Sequence, residues 1–237
     1  MKISILTLFP KMFVGPFELS IIKRAQDKKL VQIEIVDIRN FGQGRHKTVD
    51  DKPYGGGVGM IIKVDVLENA IEKTKKLFEQ SYKSKSKIKQ MVILLSPQGN
   101  KFDQKKAKGF SKLDHLILVC GHYEGIDARI GKFVDEEISI GDFILTGGEI
   151  PSMIITDSVV RLLKGVIRKG ATLSESFSPY LEYPQYTLPR TYKNLSVPEI
   201  LLSGDHKKIE EWRVEKALEI TSRKRPDLIN KAKKKKI

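Results

Sequence analysis

Two segments of the chain are apolar at every position, Met91–Leu95 and Leu116–Cys120. A strand with one face in water alternates polar and apolar side chains, so these segments predict strands buried on both faces. Such strands occur where helices cover both sides of a parallel sheet. Three more β-rich runs are Ile3–Leu8, Val31–Val36 and Glu137–Ile140. We therefore predict an α/β fold built on a mostly parallel sheet.

Helical patterns alternate with these strands and continue after them. They cover Phe17–Lys29, Val64–Phe78, Gln104–Phe110, Ala128–Phe133, Pro151–Leu163, Val197–Leu202 and Ile209–Ser222. Gly165 and Gly170 break the pattern before the last two. We predict a large α/β domain at residues 1–164, a linker at residues 165–177 and a small all-helical domain at residues 178–237. The lysine-rich end is expected to be frayed.

The positive charge of the chain is unevenly distributed. Of the net +14, residues 73–89 contribute seven lysines against one glutamate, and residues 161–237 contribute 18 basic against nine acidic side chains. Residues 90–160 carry seven basic and ten acidic side chains. This distribution favours a polyanionic partner such as nucleic acid at the basic segments, although lysines at 73–89 alone are equally typical of a solvated surface.

Several classes of protein are disfavoured by composition. The chain has no apolar run long enough for a membrane span, and its N-terminal segment is typical of a strand, not of a signal peptide. Its one cysteine, Cys120, excludes an internal disulfide and favours a cytoplasmic location. One cysteine and four scattered histidines do not make a structural zinc site, so no metal ligands are predicted.

Three loops rich in turn residues follow predicted strands, at residues 96–100, 121–127 and 141–149. Ligands of parallel sheets bind at the carboxyl ends of the strands, and glycine lets a backbone approach a flat ligand closely. One such loop would be an ordinary turn, but three at one sheet edge predict a ligand site. Dinucleotide and P-loop glycine spacings are absent. The acidic surroundings suit a cationic ligand and are compatible with S-adenosylmethionine without singling it out.

Longer motifs resemble a known family. The runs that carry the resemblance are Arg45–Met60, Leu95–Gly99, Val119–Asp127, Ser139–Asp142, Gly147–Pro151, Leu201–His206, Trp212–Arg213 and Arg225–Pro226. In this order they closely resemble the bacterial tRNA (guanine-N(1))-methyltransferases of the TrmD type, which are similar to the SPOUT methyltransferases. The resemblance implies a C-terminal trefoil knot in the α/β domain, with S-adenosylmethionine held by the knotted loops. The cofactor residues implied here are Leu94, Leu95, Ser96, Pro97, Gly99, Gly121, Tyr123, Glu124, Gly125, Ile140, Gly141, Asp142, Phe143, Ile144, Leu145, Gly148 and Pro151.

The family's activity is methylation of the guanine immediately 3′ of the anticodon in tRNA, which maintains the reading frame. The resemblance implies tRNA as a partner and a homodimer whose active site is shared between subunits. Mg²⁺ is a candidate second cofactor. Two alternatives stay open: an RNA-binding protein of this family without catalysis, and a knotted methyltransferase that acts on ribosomal RNA.

The chemistry needs a base, because N1 of neutral guanine carries a proton, and a cation near the carbonyl oxygen, where negative charge develops. The family's base is an aspartate before Ser-Phe, and this chain has Glu175 there, one methylene longer. Arg161 matches the family's catalytic arginine, and Asp157 is a second candidate for the base. His122 stands where many relatives have arginine.

Overall fold

The computed structural model describes residues 1–82, 87–168, 170–172 and 175–234. Residues 83–86 of the lysine-rich segment, three residues of the predicted linker and the end of the tail therefore lie outside the described residues. The chain divides into two compact units, Met1–Ile167 and Arg168–Ile237. The bounds predicted for the two domains and the linker stay a prediction.

The first unit is built on a parallel five-stranded sheet, which confirms the predicted α/β class. Strands in chain order are β1 (Lys2–Thr7), β2 (Gln32–Asp37), β3 (Asp50–Asp51), β4 (Ile61–Ile62), β5 (Gln90–Lys101), β6 (His115–Cys120), β7 (Glu136–Ser139), β8 (Thr191–Tyr192) and β9 (Leu195–Ser196). The large sheet has the order β2-β1-β6-β5-β7, and all its neighbours pair in parallel. The remaining strands form two small antiparallel pairs, β3-β4 and β8-β9.

Six α-helices accompany the strands in the described part of the chain. They are α1 (Ser20–Asp27), α2 (Val64–Ser81), α3 (Gln104–Phe110), α4 (Glu149–Val160), α5 (His206–Lys224) and α6 (Pro226–Lys234). Two predicted helices are instead 3-10 turns, at Ala128–Lys132 and Glu199–Leu202. At the first of these, the Asp127 carboxylate accepts a hydrogen bond from the backbone N–H of Arg129, and the next strand begins at Glu136, which leaves room for little more than one turn.

Both faces of the central strands are buried, as their sequences predicted. In β6, Leu116 and Leu118 pack on the side of α1, α3 and α4, whereas Ile117 and Val119 pack on the side of α2. All four are fully buried. Because burying one such side chain stabilises the fold by about 1.5–3 kcal/mol, the two-sided core anchors the sheet whose edge carries the loops.

The described residues of the second unit contain α5, α6 and the β8-β9 hairpin, and the hairpin departs from the predicted all-helical domain. The Leu181 N–H donates to the Thr221 hydroxyl at 2.9 Å, which holds the proline-rich segment against α5. Trp212 is half-buried on α5, with its ring centre 6.5 Å from that of Tyr186. The C-terminal residues expected to be frayed form α6 as far as Lys234, because Pro226 is well suited to begin a helix.

None of the described helices is both long and apolar enough to cross a membrane.

A buried histidine makes the stability of the fold depend on pH. His115 is fully buried, and its Nε2 lies 2.9 Å from the Ser4 hydroxyl. Burial, and secondarily Lys2, lower the pKa of His115 from 6.5 to about 4, although Glu34 acts in the opposite direction. The unfolded chain therefore binds more protons between these pH values. We expect the free energy of unfolding to fall by up to about 3 kcal/mol as the pH drops from 6.5 to 4.

Urea unfolding at pH 7.5 and at pH 4.5 measures this effect. A His115→Gln variant should lose much of the pH dependence, because the side chain no longer titrates. An equal pH dependence in the variant and the original chain would contradict the assignment to His115.

Candidate functional site

A cavity of about 660 Å³ opens at the carboxyl edge of the sheet. Its size is within the usual range for sites that bind small molecules. Residues 94–98 within β5, the loops after β6 and β7 and the start of α4 supply most of its walls, so all three predicted loops meet there. The predicted cofactor residues that line it are Leu94, Leu95, Ser96, Pro97, Gly121, Tyr123, Glu124, Gly125, Ile140, Gly141, Phe143, Ile144, Leu145, Gly148 and Pro151.

Two predicted cofactor residues, Gly99 and Asp142, are not among the lining residues. A β-carbon on Gly99 would lie 2.4 Å from the backbone of both Glu137 and Ile138, so this position packs against β7. The Asp142 carboxylate is exposed and pairs with the Lys101 ammonium at 2.6 Å. Gly99 is therefore packed on a neighbouring strand and Asp142 lies at the surface, and their part in cofactor binding stays a prediction.

The first loop is an interruption within β5, not the end of a strand. Leu95 and Asn100 both pair with Ile138 of β7, so residues 96–99 bulge out of the ladder toward the cavity. The predicted strand ended at Leu95, because residues 96–100 are rich in turn formers. Pairing of β5 with β7 resumes at Asn100, because the bulge leaves Pro97 outside the hydrogen-bonded ladder.

The third loop is held in shape by a serine that sequence reasoning missed. The Ser139 hydroxyl accepts a hydrogen bond from the Gly141 N–H at 3.2 Å and donates one to the Gly141 carbonyl at 3.0 Å. Gly141 has a φ of +154°, and a β-carbon there would lie 2.5 Å from the Phe143 ring. Only glycine fits, and the fold of the loop places Phe143 at the cavity.

The second loop pairs with the end of the glycine-rich motif Arg45–Met60. The Glu124 N–H donates to the Met60 carbonyl, and the Ile62 N–H donates to the Gly125 carbonyl, both at 3.1 Å. A β-carbon on Gly59 would lie 2.4 Å from Glu124. This motif is distant in sequence from residues 121–127, and only the fold brings the two together.

The charged groups at the cavity are acidic. Glu124 and Glu137 line it, and among the described residues no lysine or arginine does. Carboxylates attract a sulfonium or ammonium group and repel phosphate. Together with glycine backbones that a flat ring can approach, the lining fits S-adenosylmethionine better than a nucleotide phosphate.

Several lining residues were absent from the predicted set. They are Gln98, His122, Ile126, Ala128, Ile130, Glu137, Ile138, Ser139, Thr146 and Gly147. Most of them adjoin predicted residues in the same loops, so a wider window on each loop would have found them. Ile130 and Ala128 come from the 3-10 turn, whose position over the loop is a tertiary effect.

Cys120 lies beneath the cavity and is fully buried. Burial, and secondarily the nearby Glu149 carboxylate, raise the pKa of the Cys120 thiol far above its ordinary value. Because the thiolate is the nucleophilic form, this cysteine is unsuited to covalent catalysis.

The candidate catalytic residues lie in different units. Arg161 directly follows α4 in the first unit, and its backbone N–H donates to the backbone carbonyl of Asp157 at 3.1 Å. Glu175 belongs to the second unit and is partly buried. The Asp157 side chain is exposed and lines a smaller groove of about 260 Å³ with residues such as Leu19. Within the described part of the chain, no cluster of three or more His, Cys, Asp or Glu side chains could hold a metal ion.

Comparison with known proteins places the whole chain in one family. A family model described as tRNA (Guanine-1)-methyltransferase TrmD matches residues 1–231. A protein of Dictyoglomus turgidum named tRNA (guanine-N(1)-)-methyltransferase is 50% identical over 233 residues, covering 98% of this chain and 91% of the relative. The Bacillus subtilis protein of the same name is 50% identical over 232 residues, covering 97% and 92%. The chain therefore belongs to the TrmD family of tRNA (guanine-N(1))-methyltransferases.

Proposed function

We propose that the protein transfers a methyl group from S-adenosylmethionine to N1 of the guanine immediately 3′ of the anticodon in tRNA, and so maintains the reading frame. The observation that carries the proposal is the acidic, glycine-walled cavity at the sheet edge in a chain of this family. Its walls come from the three loops whose motifs match the family.

The residues proposed to hold the cofactor are those of the three loops around the cavity. The backbones of Leu95–Pro97, Gly121 and Phe143–Leu145 border the cavity where an adenosine would lie, and Glu124 offers a carboxylate to a positive group. When bound, S-adenosylmethionine supplies an electrophilic methyl group on its sulfonium. The chain positions the acceptor nitrogen and excludes water from it.

Glu175 is the proposed general base, which takes the proton from guanine N1 so that the nitrogen lone pair becomes available. Arg161 is proposed to stabilise the negative charge that develops toward the guanine carbonyl oxygen. Glu175 is longer than the family's aspartate by one methylene, so the backbone around it must adjust by about one C–C bond length. Asp157 is the second candidate for the base.

The positive charge of the C-terminal part supports tRNA as the partner. Residues 161–237 carry twice as many basic as acidic side chains, and lysine and arginine are the residues that contact phosphates. We assign the helical domain at 178–237 to tRNA binding, and residues 165–177 are the proposed interdomain linker. The C-terminal trefoil knot of the α/β domain is part of the proposal, and the strand order β2-β1-β6-β5-β7 is compatible with it.

A second copy of the chain is the proposed partner of α4. One side of this helix packs on the sheet through Ile155 and Val159, yet Ile150 and Ile154 are also exposed on it. Large apolar side chains exposed together on one helix face are typical of a surface that a partner covers. Next to α4, the Pro10–Phe13 turn adds exposed Met12, and the residue before α1 adds exposed Leu19. Sedimentation of the purified protein tests the homodimer, and an Ile154→Asp variant is expected to sediment as a monomer.

Methyl transfer to defined RNAs tests the function. The purified protein is incubated with methyl-labelled S-adenosylmethionine and a tRNA transcript with guanine 3′ of the anticodon, with and without Mg²⁺. A transcript with adenine at that position and ribosomal RNA serve as controls. Methyl transfer to the guanine transcript, and to neither control RNA, supports the proposal. The proposed location of the reaction is the cytoplasm. Methyl transfer to ribosomal RNA would favour a knotted methyltransferase that acts on that RNA. Binding of tRNA without methyl transfer, both with and without Mg²⁺, would favour an RNA-binding protein without catalysis.

A further inference from the structure

A buried carboxylate lies next to the cavity and has no part in the mechanism above. Glu149 is the first residue of α4 and is 1% exposed. Its Oε1 accepts a hydrogen bond from the Thr7 hydroxyl at 2.7 Å. That hydroxyl in turn accepts from the Phe9 N–H at 2.9 Å, so its single proton is directed to Glu149. One carboxylate oxygen is thereby held as an acceptor.

The other oxygen of this carboxylate faces a histidine of the cavity wall. Oε2 lies 3.9 Å from Nδ1 of His122. Nδ1 is buried and, among the described residues, has no hydrogen-bond partner. The ring is held between aromatic neighbours, with centroids 4.5 Å from Phe9 and 5.1 Å from Tyr123. A ring shift of about 1 Å closes the Glu149–His122 gap to hydrogen-bond length.

The backbone around this pair leaves no space for another side chain. A β-carbon on Gly147 would lie 2.4 Å from Oε2 of Glu149 and 2.6 Å from Nδ1 of His122. Gly147 therefore allows the carboxylate and the imidazole to approach each other. Because a buried polar atom without a partner is costly, Nδ1–H donation to Glu149 is the favoured arrangement.

We propose that Glu149, supported by Thr7, is a positioning residue that fixes the His122 ring with Nδ1–H toward the protein and Nε2 toward the cavity as a hydrogen-bond acceptor. The inference rests on the proposed function, since its ligand is the cofactor. In this tautomer Nε2 of the imidazole accepts a hydrogen bond. S-adenosylmethionine offers ribose hydroxyls and an ammonium group as donors. The contact therefore selects a donor group on the cofactor.

The test uses Glu149→Gln, which keeps the shape of the side chain. The glutamine oxygen accepts from Thr7, so its amide N–H faces Nδ1 of His122 and forces the proton onto Nε2. We expect ¹⁵N NMR to show His122 as the Nδ1–H tautomer in the original chain and as the Nε2–H tautomer in the variant. Nε2–H of His122 then faces a donor group of the ligand, and the hydrogen bond between them is lost. S-adenosylhomocysteine is therefore expected to bind roughly tenfold more weakly, as measured by calorimetry.

A second probe locates the donor on the cofactor. Weaker binding of both S-adenosylhomocysteine and 5′-methylthioadenosine supports a contact with the ribose. Weaker binding of S-adenosylhomocysteine alone supports a contact with the ammonium, which 5′-methylthioadenosine lacks. Unchanged binding of both, or an unchanged tautomer in Glu149→Gln, would overturn the proposal.

The matched control is Thr156→Val on the same helix. The Thr156 hydroxyl is buried without a partner among the described residues, outside the cavity lining, so the variant should bind S-adenosylhomocysteine as the original does. If Glu149→Gln lowers the melting temperature but keeps the original tautomer of His122, Glu149 has a structural role only and the inference is overturned. The ¹⁵N NMR spectra that report the tautomer of His122 are recorded on the protein without RNA. If wild-type protein shows the Nδ1–H tautomer but binds no S-adenosylhomocysteine, the proposed function fails and not the Glu149–His122 pairing.

Discussion

Glu175→Gln is expected to reduce methyl transfer by about 10²-fold or more, because glutamine cannot remove the proton from guanine N1. The cavity lies in the first unit, whereas Glu175 belongs to the second and is not among the lining residues. Affinity for S-adenosylhomocysteine should therefore be unchanged. Single-turnover transfer to tRNA and calorimetry with S-adenosylhomocysteine measure the two quantities separately.

Two further variants make this experiment decisive. Glu175→Asp is expected to keep activity, because it restores the residue that the family has there. Glu182→Gln removes another partly buried carboxylate of the same unit and should leave the rate unchanged. Full activity of Glu175→Gln would place the base elsewhere, with Asp157 as the next residue to substitute.

Gly99→Ala is expected to disrupt the cofactor site without touching the cofactor. The added β-carbon would lie 2.4 Å from the backbone of β7, where no flexible side chain can move away. Either the 96–99 bulge shifts into the cavity or β5 separates from β7. Overpacking of this kind costs about 1–3 kcal/mol, so we expect a lower free energy of unfolding together with at least tenfold weaker binding of S-adenosylhomocysteine.

Gly109→Ala is the matched control for this substitution. Gly109 lies within α3 and has no atom within 4 Å of its added β-carbon. Alanine there should stabilise the fold by about 0.5–1 kcal/mol and leave cofactor binding unchanged. The packing argument fails if Gly99→Ala binds S-adenosylhomocysteine as tightly as Gly109→Ala does.

The parallel sheet could be predicted because its signal is local. Met91–Leu95 and Leu116–Cys120 contain only apolar residues, and burial on both faces follows directly from that pattern. The meeting of the three loops was predictable for a related reason. Carboxyl ends of parallel strands share one edge, so loops that follow different strands come together there.

Other features depend on contacts between distant segments. The continuation of β5 beyond Pro97 depends on Ile138, which pairs with both Leu95 and Asn100. The position of the Arg45–Met60 motif beside residues 121–127 depends on backbone hydrogen bonds of Met60 and Ile62. No periodicity in a single segment contains this information.

The sequence by itself determined the α/β class, the sheet edge that carries the ligand loops and the family, because each of these follows from local patterns or motifs. Only the tertiary structure decided that Gly99 packs against the backbone of β7 and that Asp142 pairs with Lys101. It also decided that Thr7 and His122 both lie next to the Glu149 carboxylate. The physical reason is that steric exclusion and hydrogen bonding act over a few ångströms in space, whatever the separation along the chain.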